Sequence, residues 1–117
     1  MKIAVSASGE SLDSNVDPRF GRCPYFIIVD TEDNKIKSHE VVTNEAVQAM
    51  RGAGIQAAQT VANKGAKVVI TGNIGPNAFN VLSQTGIKVF TGVSGKVDEA
   101  LKKYLKGELK ESTKSSF

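Results

Sequence analysis

The stretch Tyr25-Phe-Ile-Ile-Val-Asp-Thr-Glu-Asp-Asn-Lys-Ile-Lys-Ser-His-Glu-Val-Val42 decides the architecture. Tyr25 to Asp30 is a continuous apolar, β-prone run and reads as a central strand buried on both faces. Ile36 to Val42 alternates apolar and polar residues only loosely, and Asp33-Asn34 sit between the two runs. Together they form a hairpin whose second arm lies at a sheet edge.

Working backward, Lys2 to Ser6 is a short buried strand, and a long polar segment joins it to Tyr25. From Ser6 to Cys23 it reads Ser-Ala-Ser-Gly-Glu-Ser-Leu-Asp-Ser-Asn-Val-Asp-Pro-Arg-Phe-Gly-Arg-Cys. A compact domain seldom carries so long a connection unless it binds something or is disordered. Its ending, Arg19-Phe20-Gly21-Arg22-Cys23, is too specific in chemistry for a slack linker.

Working forward, the period changes after Thr43. Ile55, Ala58, Val61 and Ala62 recur at helical spacing from Gly54 to Lys64, and Gly65 stops the helix. Lys67 to Thr71 is a fourth strand, Pro76 opens a second helix that closes at Gly86, and Ile87 to Phe90 is a fifth strand. Val97, Ala100, Leu101, Tyr104 and Leu105 fit an amphipathic helix from about Lys96 to Lys106, ended by Gly107. The order β-β-β-α-β-α-β-α, with hairpin pairing and right-handed crossovers, predicts an α/β fold. Its five-stranded mixed sheet has the order 3-2-1-4-5, with strand two antiparallel and helices on both faces. Residues 1–107 then form one domain, and the polar tail 108–117 is expected to be frayed.

In that topology four loops meet at one edge of the sheet, including the long one leaving strand one. Open α/β sheets bind ligands outside the carboxyl ends of their strands, at a switch point, here between strands one and four. Gly72-Asn73-Ile74-Gly75-Pro76-Asn77-Ala78 can present backbone N–H groups at the positive end of a helix, or it can be only a tight strand-to-helix turn. Arg51-Gly52-Ala53-Gly54 carries the same two readings, and neither segment is a Walker or dinucleotide fingerprint. Arg19 and Arg22 flank Phe20-Gly21 with planar donors suited to oxyanions, or they are surface arginines. Cys23 can ligate a soft metal as thiolate, or it is a small buried hydrophobe. His39 reads as a surface residue far from the loop edge.

Several function classes are excluded by composition. No apolar run is long enough to span a bilayer, and no signal peptide follows Met1-Lys2, so a cytoplasmic protein is expected. One cysteine permits neither an internal disulfide nor a complete cysteine set for zinc or an iron-sulfur cluster. The net charge of +3 owes much to Lys102, Lys103, Lys106, Lys110 and Lys114, a solvated helix face and tail rather than a nucleic-acid surface. No histidine stands near a nucleophile, and Asp13 and Asp17 share a loop with no partner base, so no enzyme is expected. A two-metal nuclease needs carboxylates on the strands, whereas strand one ends Val5-Ser6.

The blocks Met1-Lys2-Ile3-Ala4-Val5, Phe20-Gly21-Arg22 through Pro24-Tyr25-Phe26, Gly52-Ala53-Gly54-Ile55 with Ala57-Ala58, Gly72 to Phe79 and Gly86-Ile87-Lys88-Val89 carry a resemblance. Together they are similar to the dinitrogenase iron-molybdenum cofactor biosynthesis family, over Met1 to about Leu109. That resemblance implies a three-layer ribonuclease-H-like fold. It further implies a small carrier or chaperone for the iron-molybdenum cofactor, its precursors or a related metal-sulfur cluster, with a possible protein partner in cluster assembly. Many relatives have His-Phe-Gly where this chain has Arg19-Phe20-Gly21, and an arginine, always protonated, cannot coordinate a metal. The expected site is therefore Arg19, Phe20, Gly21, Arg22, Gly52, Gly54, Gly72, Asn73, Gly75 and Asn77, with Cys23 as the one nearby soft metal ligand. The alternative function is a metal-free regulatory or interaction domain that recognises a phosphate-bearing metabolite or a protein partner.

Overall fold

The computed structural model describes residues 1–117. Its strands are β1 (Lys2–Ala7), β2 (Tyr25–Glu32), β3 (Lys35–Thr43), β4 (Ala66–Ile70) and β5 (Lys88–Phe90), and its helices α1 (Ala53–Asn63), α2 (Pro76–Gln84) and α3 (Val97–Leu105). They form one sheet of order β3-β2-β1-β4-β5, with β2 antiparallel to β1 and β3, and β1, β4 and β5 parallel, as the sequence predicts. The β2–β3 turn places Asp33 and Asn34 at φ 54° and 61°, the left-handed pair that a tight hairpin demands and that Asn and Asp tolerate. Gly65, Gly86 and Gly107 all have positive φ just past their helices, the stop geometry expected of them.

The two faces of the sheet bury separate cores. Ala4, Phe26, Ile28 and Val69 point toward α1 and α2, while Ile3, Val5, Ile27, Val29, Val68 and Ile70 point toward α3. That alternation along β1, β2 and β4 explains why their sequences are apolar throughout: each strand is covered on both sides. β3 is exposed along most of its length, and His39 sits on it opposite Val29, away from the loop edge. α1 buries Ala53, Ala57, Ala58 and Val61, small residues that let it lie close to the sheet and to α2. Ile55, expected on that face, falls at its margin and is 36% exposed.

Between β3 and α1 the chain makes a short 3₁₀ helix, Glu45–Gln48, that periodicity did not reveal. Asn44 caps it by accepting from the Ala46 N–H at 3.2 Å. The segment after Gly107 lies back along β5, the Ser112 N–H donating to Val89 O at 2.8 Å and the Ser116 N–H to Ile74 O at 2.9 Å. No helix is long and apolar enough to cross a membrane.

Candidate functional site

The long loop between β1 and β2 is stitched down along most of its length. Ser8 N–H donates to Asn15 O, Asp17 N–H to Ser6 O and Val16 N–H to Gly95 O, at 2.8–3.0 Å. Asn73 N–H donates to Pro18 O at 2.7 Å and Phe20 N–H to Asn73 O at 3.2 Å, so one side of the loop pairs with the β4–α2 turn. That contact explains Gly72: a Cβ there would stand 2.6 Å from Pro18 Cα, closer than packed atoms approach. Beneath it the Ser6 hydroxyl lies 2.7 Å from both the Asp17 carbonyl and the Thr71 hydroxyl, linking the loop to β1 and to the end of β4.

The loop then carries Phe20 inward, 1% exposed, against Phe26 at a centroid distance of 5.2 Å. Gly21 lies on the first turn of α1, where a Cβ would come within 3.1 Å of Gly54 N. Gly54 in turn lies against α2, its own missing Cβ 3.2 Å from Ala78 Cβ. These close approaches draw the N-termini of α1 and α2 together around a cleft of about 200 Å³. Its lining is Phe20, Gly21, Gly52, Gly54, Ile55, Gly75, Pro76, Asn77 and Ala78, with no ionisable side chain among them.

Backbone donors are what this cleft offers. The first N–H groups bonded within the helices are Gln56, to Gly52 O at 2.9 Å, and Phe79, to Gly75 O at 3.1 Å. Gly54, Ile55, Asn77 and Ala78 precede them or lie in the first turn, so their N–H groups have no acceptor in the chain. Neither helix has a side-chain cap. α3 differs: Ser14 O and Leu12 O accept from Val97 and Asp98 N–H, at 2.9 and 3.0 Å, so its N-terminus is already occupied by the loop.

Of the residues singled out in the sequence, Phe20, Gly21, Gly52, Gly54, Gly75 and Asn77 meet in the cleft. Gly72 and Asn73 stand behind it and serve the loop contact. The Arg19 guanidinium lies outside the lining, 3.4 Å from Asp17 Oδ1, its side chain 64% exposed. Asp17 is buried and also accepts from Arg19 N–H at 2.9 Å and from the Ser8 hydroxyl at 3.1 Å. Arg22 donates to Val47 O and Ala49 O at 3.1 and 2.6 Å, fastening the 3₁₀ segment that leads to Gly52.

Cys23 is fully buried, and its thiol donates to Phe20 O at 3.3 Å. Burial, with the Asp17 carboxylate adding to it, pushes the thiol up to about 12; the Asn44 amide offsets this only in part. No three ligand-type side chains converge anywhere to hold a metal ion. The thiol offered by the sequence as a soft ligand is, in place, buried in the core and hydrogen-bonded to Phe20 O.

Ile55, Pro76 and Ala78 complete the cleft; Pro76 and Ala78 belong to the Gly72–Ala78 segment, but none of the three is among the expected site residues. Ile55 and Pro76 adjoin Gly54 and Gly75, and Ala78 follows Asn77. Asn44 was also missed: fully buried, it donates to Cys23 O at 2.8 Å and Gly21 O at 3.2 Å while capping the 3₁₀ helix. Its place before Glu45-Ala46-Val47 is a capping signal, but too short a helix follows for periodicity to support it.

The apo form of the orange protein from Desulfovibrio gigas has the same fold, with a TM-score of 0.93 and 41% identity over 99% of this chain and 96% of that one. An NMR structure from Thermotoga, provisionally named a NifB protein, matches with a TM-score of 0.84 and 37% identity over 99% and 97% of the two chains. An uncharacterised protein of Methanocaldococcus jannaschii is 40% identical over 110 residues, 93% of this chain and 89% of its own length. The profile described as dinitrogenase iron-molybdenum cofactor matches residues 1–107, which span all eight elements of the sheet and helices. The chain belongs to the dinitrogenase iron-molybdenum cofactor family.

Proposed function

We propose that this protein is a non-catalytic cytoplasmic carrier for an anionic metal-sulfur cluster or its molybdenum-containing precursor, held in the α1–α2 cleft. The observation that carries this reading is the convergence of two uncapped helix N-termini on one cleft with partly apolar walls. Unpaired N–H groups and two helix dipoles favour an anion. Phe20, Ile55, Pro76 and Ala78 supply apolar contact that suits a weakly hydrated sulfide surface better than a strongly hydrated ion. The donor set fits a group held by hydrogen bonds and contact, without coordination by Cys23.

Phe20, Gly21, Gly52, Gly54, Gly75 and Asn77 would form the cradle, the glycines letting the ligand approach the backbone. Arg19 is exposed and held to Asp17 only at 3.4–3.5 Å, so it can swing to the rim of a bound anion. The cleft's lack of any ionisable side chain supports carriage over turnover. Family membership supports the cargo class.

Gly75 provides the test. It has φ −78° and ψ 170°, the usual N-cap geometry, and a Cβ there would meet nothing within 4 Å. In Gly75→Asp the carboxylate can cap Asn77 or Ala78 N–H, so stability should hold or rise by a few tenths of a kcal/mol, about 0.3. The same carboxylate takes the donors and repels an anion. Anaerobic titration with tetrathiomolybdate should therefore show binding to the wild type and at least about a tenfold loss in Gly75→Asp. Equal binding by both proteins defeats the cleft reading. A wild type stabilised by nucleotides or phosphate but not by tetrathiomolybdate favours the metal-free regulatory alternative.

A further inference from the structure

We propose that Glu108–Phe117 is a displaceable strap whose attachment at Ser116 holds the β4–α2 loop in the shape that presents Asn77 and Ala78 to the cleft, so that strap and cleft ligand reinforce each other. The inference rests on the cleft reading above and adds a regulator to it.

Ile74 is the point of contact. Its side chain is buried, 1% exposed, and it immediately precedes Gly75 of the cleft. Both of its backbone groups are satisfied by one residue of the tail: Ile74 N–H donates to Ser116 Oγ at 3.0 Å, and Ser116 N–H donates to Ile74 O at 2.9 Å. Four residues earlier, Ser112 makes a second attachment. Its N–H donates to Val89 O at 2.8 Å, and its hydroxyl lies 3.1 Å from Thr91 N and 2.6 Å from Thr91 Oγ1. The strap thereby serves as a partial partner for the otherwise open β5 edge.

Little else fastens it. Leu109 packs against the α3-side core, but beyond it the tail has no apolar residue until Phe117, which is 83% exposed. Along the strap lies a polar groove of about 450 Å³, lined by residues 110–116 and Thr91 with no hydrophobic side chain. A segment tied by a few hydrogen bonds and almost no buried apolar surface opens far more readily than the core. When it opens, Ile74 loses both backbone partners, and the segment just before Gly75 its attachment on that side, while Asn73 stays tied to Pro18 and Phe20. A ligand that needs the attached shape must favour the strapped state, and by reciprocity the strapped state favours the ligand. Any partner that captures the free tail would then promote ligand release.

Full-length variants test the coupling. Ser116→Ala removes the acceptor for Ile74 N–H, and Ser116→Pro removes the donor to Ile74 O as well. In ¹⁵N-labelled protein without ligand, Ile74 amide exchange should quicken about tenfold in either variant. Tetrathiomolybdate affinity should fall by about fivefold or more in Ser116→Pro, and saturating probe should slow exchange at Ser112 and Ser116 in the wild type. Wild-type affinity in Ser116→Pro, or tail amides untouched by saturating probe, overturns the coupling alone. A probe that leaves the wild-type Gly54 and Asn77 amides unshifted overturns the cleft reading and the coupling with it.

Discussion

Gly72 and Cys23 do opposite jobs with the same resource, space. At Gly72 the missing side chain lets Pro18 approach, and a methyl group would have to push the loop off the sheet. Gly72→Ala should cost about 1–3 kcal/mol as an overpacked contact. That amounts to a Tm lower by roughly 4–12 °C in thermal unfolding; an unchanged Tm would mean the loop moves aside freely. Cys23 fills its space completely, and burial favours the protonated thiol. The folded thiol titrates at about 12, against 9.0 for an exposed cysteine. Below pH 9 both states keep the proton and the contribution is constant. Between pH 9 and 12 the unfolded chain loses a proton that the folded chain retains, so stability falls as pH rises, by at most about 1.4 kcal/mol per pH unit. Compared with wild type, Cys23→Ala should show a shallower alkaline decline in denaturant titrations, while native Cys23 resists alkylation until the chain unfolds.

At the scale of elements, the cleft exists because two helix starts are drawn together by glycine and alanine, and because the 3₁₀ segment is held in place beside them. Arg22 does the holding, through the carbonyls of Val47 and Ala49. A guanidinium spent on backbone acceptors is a structural clasp rather than a free anion receptor, although it lies next to Gly21. Arg22→Ala should leave the sheet intact and loosen residues 45–51, where Met50 and Arg51 are exposed. Trypsin should then cut after Arg51 about tenfold faster, in keeping with the loss of a charged hydrogen-bond donor. A cleavage rate equal to wild type would show that Asn44 and the packing of Ala46 suffice.

Over the whole molecule, the sheet places two structural cores on opposite faces, and the α1–α2 cleft lies at the loop edge. The net charge of +3 owes much to the lysines of α3 and the tail, whereas the proposed cleft site would draw on fixed backbone dipoles. Dipoles inside a recess are screened less than surface charges. Tetrathiomolybdate affinity should therefore change by less than about tenfold between about 0.05 and about 0.5 M salt. A much steeper loss, matched by an equal loss in Arg19→Ala, would move the binding energy to the exposed arginine.

The amino-acid sequence by itself determined the five strands, the three α-helices and their order, though not the 3₁₀ helix. Period, the Asp33-Asn34 turn, Pro76 and the glycine stops at 65, 86 and 107 are local signals, set by dihedral preference and by which face meets water. It also marked Phe20, Gly21, Gly52, Gly54, Gly75 and Asn77 as neighbours, because parallel strands bring their carboxyl ends to one edge. Side-chain direction was decided only by tertiary structure. Arg22 turns to Val47 and Ala49, Arg19 to Asp17 and the Cys23 thiol to Phe20 O. Each satisfies a partner that is distant in sequence or made accessible only by the fold, so residue type alone could not choose between gripping a ligand and gripping the chain. The same holds for the tail: its composition is polar, yet Ser112 and Ser116 find unpaired backbone groups on β5 and Ile74 that exist only once the sheet has formed.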